Sequence, residues 1–254
     1  MNRITLTGVD AQTDNGLLRA LSSLTSAQGV RAEWGLLYSP SRAGQPGRYA
    51  SFECITERIR ANPDLELAVH FCGQSIAELI SQGENKSTAL LSMLADPTRH
   101  VPGRAQLNFN QRVSLLRCED LESLFLSYPA VQFIVQYNPN NAELVQTLAS
   151  RTEQSGVKNL AVLFDASGGK GVLPAAHPDI SLTGGLPTGY AGGFSPTNIA
   201  EQTTIIAQKT NGQAQWVDLE SALRDENDVF CLHRCQETLK AFATAAQALA
   251  GQAL

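Results

Sequence analysis

The sequence predicts an α/β fold, a single (β/α)8 or TIM barrel with a parallel eight-stranded core, in one domain spanning 1–254. Three observations predict it. The 254 residues match the length of about 250 that such barrels need. Eight short apolar runs alternate with helical stretches, the pattern of a parallel sheet with helical crossovers. A glycine-rich turn that runs into a helix follows the seventh run, where this fold binds phosphate. An open doubly wound sheet is the second choice, and it carries that turn after its first strand.

The elements follow in order. Residues 4–7 read as the first strand, broken by Gly8, and 17–24 have helical spacing. The second strand is 33–38, and a helix over 52–59 stops at Asn62-Pro63. The third strand, 65–71, ends at Cys72-Gly73. A helix over 75–81 follows, with Ser75 as cap and Glu78 three residues on. The fourth strand is 105–109; Val113 and 121–127 are helical, and Pro129 follows. The fifth strand, 131–137, closes at Asn138-Pro139-Asn140, and 142–150 is a helix. The sixth strand is 160–164, followed by Asp165 and a Gly-Gly pair. The seventh strand, 189–191, precedes a helix over 199–209; the eighth is 215–219, and 231–254 is a long Ala/Leu-rich helix. Several strands are near-continuous apolar runs, as expected when both faces are buried.

Composition narrows the function classes. A net charge of -5 argues against a general nucleic-acid binder. No apolar run approaches the ~18 residues of a membrane span, and Met1-Asn2-Arg3 leads into a strand rather than a signal peptide. The expectation is a cytoplasmic chain. Five cysteines, an odd number in a long chain, do not make a disulfide framework. Cys231 and Cys235 flank His233, but too few ligands at suitable spacing surround them for zinc, so no metal and no cofactor is expected.

In this fold the site lies at the C-terminal ends of the strands. The strongest signal there is Ala191-Gly192-Gly193-Phe194-Ser195-Pro196-Thr197-Asn198-Ile199. Glycines admit close backbone approach, and a helix N-terminus offers free N–H groups to phosphate. The plainer reading is a strand-to-helix turn with Ser195 as cap and Pro196 in the first helical position. Position in the barrel order favours phosphate. Asp165, ahead of Gly168-Gly169-Lys170-Gly171, suits a general acid beneath a closing loop; the plainer reading is a turn aspartate. Lys170 reaches a carboxylate or phosphate, or is solvated. Of Arg42 and Arg48 on the loop after strand two, Arg48 is the better candidate for an anion. Gln106 and Asn108 end strand four, and Gln136 ends strand five. His70 reads as a packed, hydrogen-bonded histidine. Asp218 and Glu220 share one side of strand eight, as an acid pair at the mouth or a structural ion pair.

These motifs resemble the phosphoribosylanthranilate isomerase family. The resemblance rests on Thr5-Leu6-Thr7-Gly8-Val9-Asp10, Ser39-Pro40 with Gly47-Arg48-Tyr49, Ala105-Gln106-Leu107-Asn108, Asp165 with Gly168-Gly169-Lys170-Gly171, the strand-seven run, and Val217-Asp218-Leu219-Glu220-Ser221-Ala222. It spans nearly the whole chain and is strongest at strand seven. It implies an Amadori-type isomerisation, with Asp165 at the position of the family's general acid. Thr7 stands at the position of the cysteine base. A threonine hydroxyl cannot ionise near pH 7, whereas a thiol has a pKa of about 8.5. Asp10, on the same loop, is the candidate substitute. Glu220 brings negative charge to the family's phosphate site.

Three functions compete. The first is isomerase-like proton transfer on a small phosphorylated substrate. Catalytic candidates are Asp165, Asp10 and Thr7; ligand-binding candidates are Arg48, Gln106, Asn108, Lys170, Gly192, Gly193, Ser195, Asn198 and Asp218. The second is a barrel that binds a small metabolite without turnover. The third, a lyase or epimerase of another barrel family using Lys170 as an amine nucleophile, ranks last because such lysines sit in buried strand positions. The expected partner is a small, phosphorylated molecule, with no nucleic acid and no membrane, in a monomer or homodimer.

Overall fold

The structure, a computed structural model, describes residues 1–45, 47–80, 86–101, 103–108, 116–165 and 170–252. Eight parallel strands close in sequence order: β1 (Arg3–Thr7), β2 (Arg31–Tyr38), β3 (Glu66–Cys72), β4 (Arg104–Asn108), β5 (Gln132–Tyr137), β6 (Leu160–Asp165), β7 (Thr188–Ala191) and β8 (Trp216–Leu219). The last pairs with the first, Arg3 opposite Trp216 and Thr5 opposite Asp218. The expected (β/α)8 barrel is the observed fold.

The helices are α1 (Asn15–Ser26), α2 (Phe52–Ala61), α3 (Ser75–Ile80), α4 (Lys86–Leu94), α5 (Cys118–Ser127), α6 (Ala142–Ser155), α7 (Ile199–Lys209) and α8 (Leu232–Gln252). Their ends follow local chemistry. Asp14 accepts from Leu17 N at 2.9 Å and starts α1; Ser51 accepts from Cys54 N at 3.2 Å and starts α2. Gly156, at φ 74°, ends α6. Among the described residues no helix is long and apolar enough to cross a membrane.

Three details differ from the sequence reading. Ser75 lies inside α3, and its hydroxyl donates back to the Cys72 carbonyl at 2.8 Å, so it ties strand to helix instead of capping. The β3–β4 crossover holds two helices. The second, α4, buries Ser87, Leu90, Leu91 and Leu94 at helical spacing. Between β6 and β7 the described residues form only a short 3-10 turn, Ile180–Thr183. Phe109, Asn110, Val113 and the pair Gly168-Gly169 lie outside the described residues.

Strand alternation divides the core in two. Outward residues such as Leu160, Val162 and Phe164 of β6 pack in the large cluster beneath the helices. Inward residues Ile134, Ala161, Leu163 and Trp216 fill the barrel interior. Both faces are buried, so these strands read as unbroken apolar runs. Gly189 is glycine for a steric reason: a Cβ there would lie 2.1 Å from the Trp216 ring.

The barrel interior also holds a buried ion pair. Arg104 Nη1 donates to Glu33 Oε1 at 2.8 Å, with both side chains nearly inaccessible. Thr5 Oγ1 donates to the same oxygen at 2.8 Å, and the guanidinium lies 4.2 Å from the centre of the Trp216 ring. Burial opposes the charge on Glu33, but Arg104, Arg3 and the Thr5 hydrogen bond outweigh it and hold its pKa below the usual carboxylate range. His70 is also buried in the interior. Burial, with Arg104 adding and Glu33 opposing, lowers its pKa to about 4.

Two stability predictions follow from this interior. Arg104→Leu strands a buried carboxylate and is expected to cost about 3–5 kcal/mol. The double variant Glu33→Leu/Arg104→Leu should recover most of that loss. Urea unfolding measures both, and an unchanged midpoint for the single variant would refute the role given to the pair. The depressed pKa of His70 adds stability that is present above its unfolded value of 6.5 and lost as pH falls through about 4. The loss is on the order of 3 kcal/mol. Urea midpoints at pH 7 and pH 4.5 should diverge more for the wild type than for His70→Gln; equal divergence would show that His70 titrates normally.

Candidate functional site

The C-terminal strand ends open onto a cavity of about 160 Å³. Larger hollows of about 890 and 630 Å³ lie outside the barrel, against α2 and α4 and near Met1, and no strand end reaches them. The barrel-mouth cavity is the one that β3 to β8 all supply.

Each strand contributes by its inward position. β3 gives His70, β4 gives Gln106 and Asn108, β5 gives Gln136, β6 gives Asp165, and β8 gives Asp218. Asp165 and Asp218 are each the register partner of Ala191 on β7. They therefore flank one strand at one level, with Cα atoms about 10 Å apart at the usual strand spacing.

The two carboxyls have different surroundings. Asp165 Oδ2 accepts from Gln136 Nε2 at 2.6 Å. Asp218 is buried, and burial pushes its pKa well above the usual carboxylate range, with Glu220 and Glu33 adding to the rise. Thr7 Oγ1 donates to Asp218 Oδ1 at 2.7 Å and, with Arg104, works against that rise. Asp218 thus holds its proton to higher pH than an ordinary carboxyl.

The mouth is rimmed by an ion-pair bridge. Arg48, on the loop after β2, donates to Glu220 at 2.6 Å and to Asp228 at 2.7 Å, beyond β8. Asp228 also accepts from Arg224 at 2.8 Å. Arg48 therefore neutralises Glu220 and joins two loops across the mouth.

The turn after β7 is held by its own side chains. Gly192 and Gly193 have φ of 108° and 68°, the left-handed region that favours glycine. A Cβ on Gly193 would lie 2.1 Å from Leu173 N, so the segment after β6 crosses directly over this turn. Asn198 Oδ1 accepts from Ser195 N at 2.8 Å, and its Nδ2 donates to the Gly193 carbonyl at 3.0 Å. This clamp holds 195–198 as a turn, and α7 begins regularly at Ile199 with Asn198 in the cap position. Ser195 is therefore not the cap and Pro196 does not open the regular helix. The Ser195 hydroxyl meets that of Thr197 at 2.9 Å.

Of the residues singled out in the sequence, the cavity brings together Gln106, Asn108, Asp165, Gly192, Gly193, Ser195 and Asp218. Thr7 touches it through Asp218, and Asn198 through the turn. Arg48 is at the rim, paired with carboxylates. Lys170 is exposed and lies outside the lining. Asp10 is elsewhere: its carboxylate accepts from Gln12 N at 3.2 Å, Thr13 Oγ1 at 2.8 Å and Phe230 N at 3.0 Å, and it ties the β1 loop to the segment before α8. His70 and Gln136 line the cavity although the sequence reading gave them no ligand role. A polar residue on the inward phase of an apolar strand is the signal that marks both. Cys72 is buried, and burial raises its thiol pKa to about 12. All five cysteines are free, and no cluster among the described residues is placed to hold a metal.

Comparison with known proteins places the fold. No family model matches the chain, and no curated protein does. Solved structures do. A phosphoribosyl anthranilate isomerase from Thermus thermophilus superposes with a TM-score of 0.56 at 18% identity, over 97% of this chain and 99% of that one. The Thermotoga maritima enzyme gives 0.59 at 12%, over 96% and 100%. A phosphoribosyl anthranilate isomerase in complex with reduced 1-(O-carboxyphenylamino)-1-deoxyribulose 5-phosphate gives 0.56 at 12%, over 96% and 100%. The chain thus has, along nearly its whole length, the barrel fold that these isomerases have.

Proposed function

We propose that this chain is an isomerase-like enzyme that moves protons on a small sugar phosphate, with Asp218 as general acid and Asp165 as general base. The observation that carries the reading is the pair of carboxyls in unlike surroundings in one small cavity. Burial raises the pKa of Asp218 well above the usual carboxylate range. The Gln136 N–H donates to Asp165 Oδ2 at 2.6 Å, so this carboxyl has a polar partner and the other a poorly solvated site. Environments that set two carboxyls apart mark an acid and a base.

The chemistry is an aldose–ketose type of shift. Asp165 takes the proton from the carbon beside the carbonyl. Asp218 gives its proton to the carbonyl oxygen, which leaves an enediol. The proton on Asp165 then returns to the neighbouring carbon, and the hydroxyl of the adjacent oxygen passes its proton back to Asp218. The resemblance assigns the acid role to Asp165; the burial of Asp218 favours the exchange of roles. Asp10 and Thr7 are committed to hydrogen bonds within the fold and supply no base.

We place the phosphate at the Gly192–Gly193 turn because it lines the cavity just ahead of the α7 N-terminus, the kind of place where backbone N–H groups hold anions. Glu220 lines the same cavity, but Arg48 at 2.6 Å already compensates its charge. The isomerase of like fold solved with a deoxyribulose 5-phosphate derivative supports this class of ligand. A second reading, a metabolite-binding barrel without turnover, is favoured by Thr7 at the position where the resembling family has its base. A Schiff-base lyase is disfavoured by the exposure of Lys170.

The test is turnover on a panel of pentose and hexose phosphates. Asp165→Asn and Asp218→Asn should each lower kcat by about 10²–10⁴, with melting temperatures close to wild type. Activity retained by either variant refutes that residue's role. Phosphate compounds that raise the melting temperature with no turnover anywhere in the panel would establish the binding reading instead.

A further inference from the structure

Two side chains on the cavity floor have one polar atom committed and one left over. His70 is 1% exposed and Gln136 4%. Neither His70 Nε2 nor Gln136 Oε1 has a hydrogen-bond partner among the described residues, and both residues line the cavity. An orphaned buried polar group costs about 1–3 kcal/mol, and folded proteins leave few of them. Two in one cavity at the strand ends point to a ligand that meets both.

The committed atoms define what is left. Gln106 has two amide hydrogens. One goes to Asn108 Oδ1 at 3.0 Å and the other to His70 Nδ1 at 3.2 Å. Asn108 in turn directs its own Nδ2 to Cys72 Sγ at 3.3 Å, which orients the chain. Nδ1 of His70 is therefore the acceptor and Nε2 carries the hydrogen. On the other side, Gln136 spends its Nε2 on Asp165 at 2.6 Å, so its free atom is the carbonyl oxygen. The floor thus offers one N–H donor and one acceptor. A cavity of about 160 Å³ has room for only a small molecule, since one water already occupies about 30 Å³.

We infer that His70 is a substrate-contacting residue: its Nε2–H donates to the carbonyl oxygen of an α-hydroxycarbonyl compound, and Gln136 Oε1 accepts from the adjacent hydroxyl. The assignment rests on the proton-transfer reading of the same cavity and names the group by which the substrate is read. A donor beside an acceptor fits a carbonyl next to a hydroxyl; the corresponding alditol has no acceptor-only oxygen to offer the imidazole. Burial keeps the ring neutral, so it polarises the carbonyl without becoming the acid, which leaves that role to Asp218.

The test uses ribulose 5-phosphate and ribitol 5-phosphate, one skeleton with and without the carbonyl. Long-range ¹H–¹⁵N spectra of the ¹⁵N-histidine protein at pH 7 should show the Nε2–H form of His70. Ribulose 5-phosphate should move its resonances and ribitol 5-phosphate should not. Wild type should bind the ketose about tenfold more tightly, the worth of one hydrogen bond. His70→Phe should reduce that preference to about twofold or less. A Nδ1–H or imidazolium form, a His70 resonance that the ketose leaves unmoved, or a preference kept by His70→Phe each overturns the assignment. The spectra read the wild-type protein and stand even if the variant fails to fold. Loss of turnover in Asp165→Asn and Asp218→Asn with His70 unmoved would leave the proton-transfer reading intact and reject this one alone.

Discussion

The buried pair of Arg104 and Glu33 is the interaction on which the rest of the barrel depends. A closed ring of eight short strands has an interior that must be filled, and here its lower part is filled with charge. Arg104 meets Glu33 at 2.8 Å and lies over Trp216. Trp216 in turn occupies the space that Gly189 leaves empty. The strands are thereby pinned across the barrel axis, β2 to β4 and β4 to β8, as well as by their ladders. Such a pair contributes little net stability, because desolvation offsets its attraction, but it penalises any arrangement that separates its members. The apolar cluster of Ile134, Ala161, Leu163 and Trp216 fills the interior beside it.

That filling sets the depth of the cavity and hence its chemistry. His70 and Asp218 lie above it in a poorly solvated space, and both take their neutral forms more readily than in water. Asp165, one strand beyond Ala191, has the Gln136 amide against it. Farther out, solvent and arginine take over. Arg48 answers Glu220 and Asp228, so the acidic mouth does not repel an anion as strongly as its carboxylates alone would. One short distance thus separates buried groups whose charged forms are disfavoured from compensated charges at the rim.

The fold was legible because its signals are local. A strand buried on both faces must be apolar at every position, as in 160–164, and a helix must repeat its apolar residues at 3.6, as in Ile55 and Ile59. The glycine turn after β7 was equally visible, since positive φ at Gly192 and Gly193 demands residues without a Cβ. Part of the site followed directly: a residue at a barrel strand's C-terminal end faces the mouth, and Gln106, Asn108, Asp165 and Asp218 all do. Asp10 did not follow. Its place just past β1 is compatible with the mouth, and only the distant Phe230 amide shows that its carboxylate is spent on joining two loops. Ser195 looked like a cap for the same reason of proximity, whereas the Asn198 side chain, folding back onto Gly193 and Ser195, delays the helix.

What the sequence by itself determined is the strand count, the parallel order and several of the strand-end side chains at the mouth, because alternation and position along a strand decide these. What only the tertiary structure decided is the state of those side chains: the raised pKa of Asp218, the lowered pKa of His70 with its Nε2 lacking a partner among the described residues, and Arg48 bound to Glu220 across 172 residues. Protonation and pairing depend on burial and on charges brought close through space, and no spacing along the chain encodes those distances.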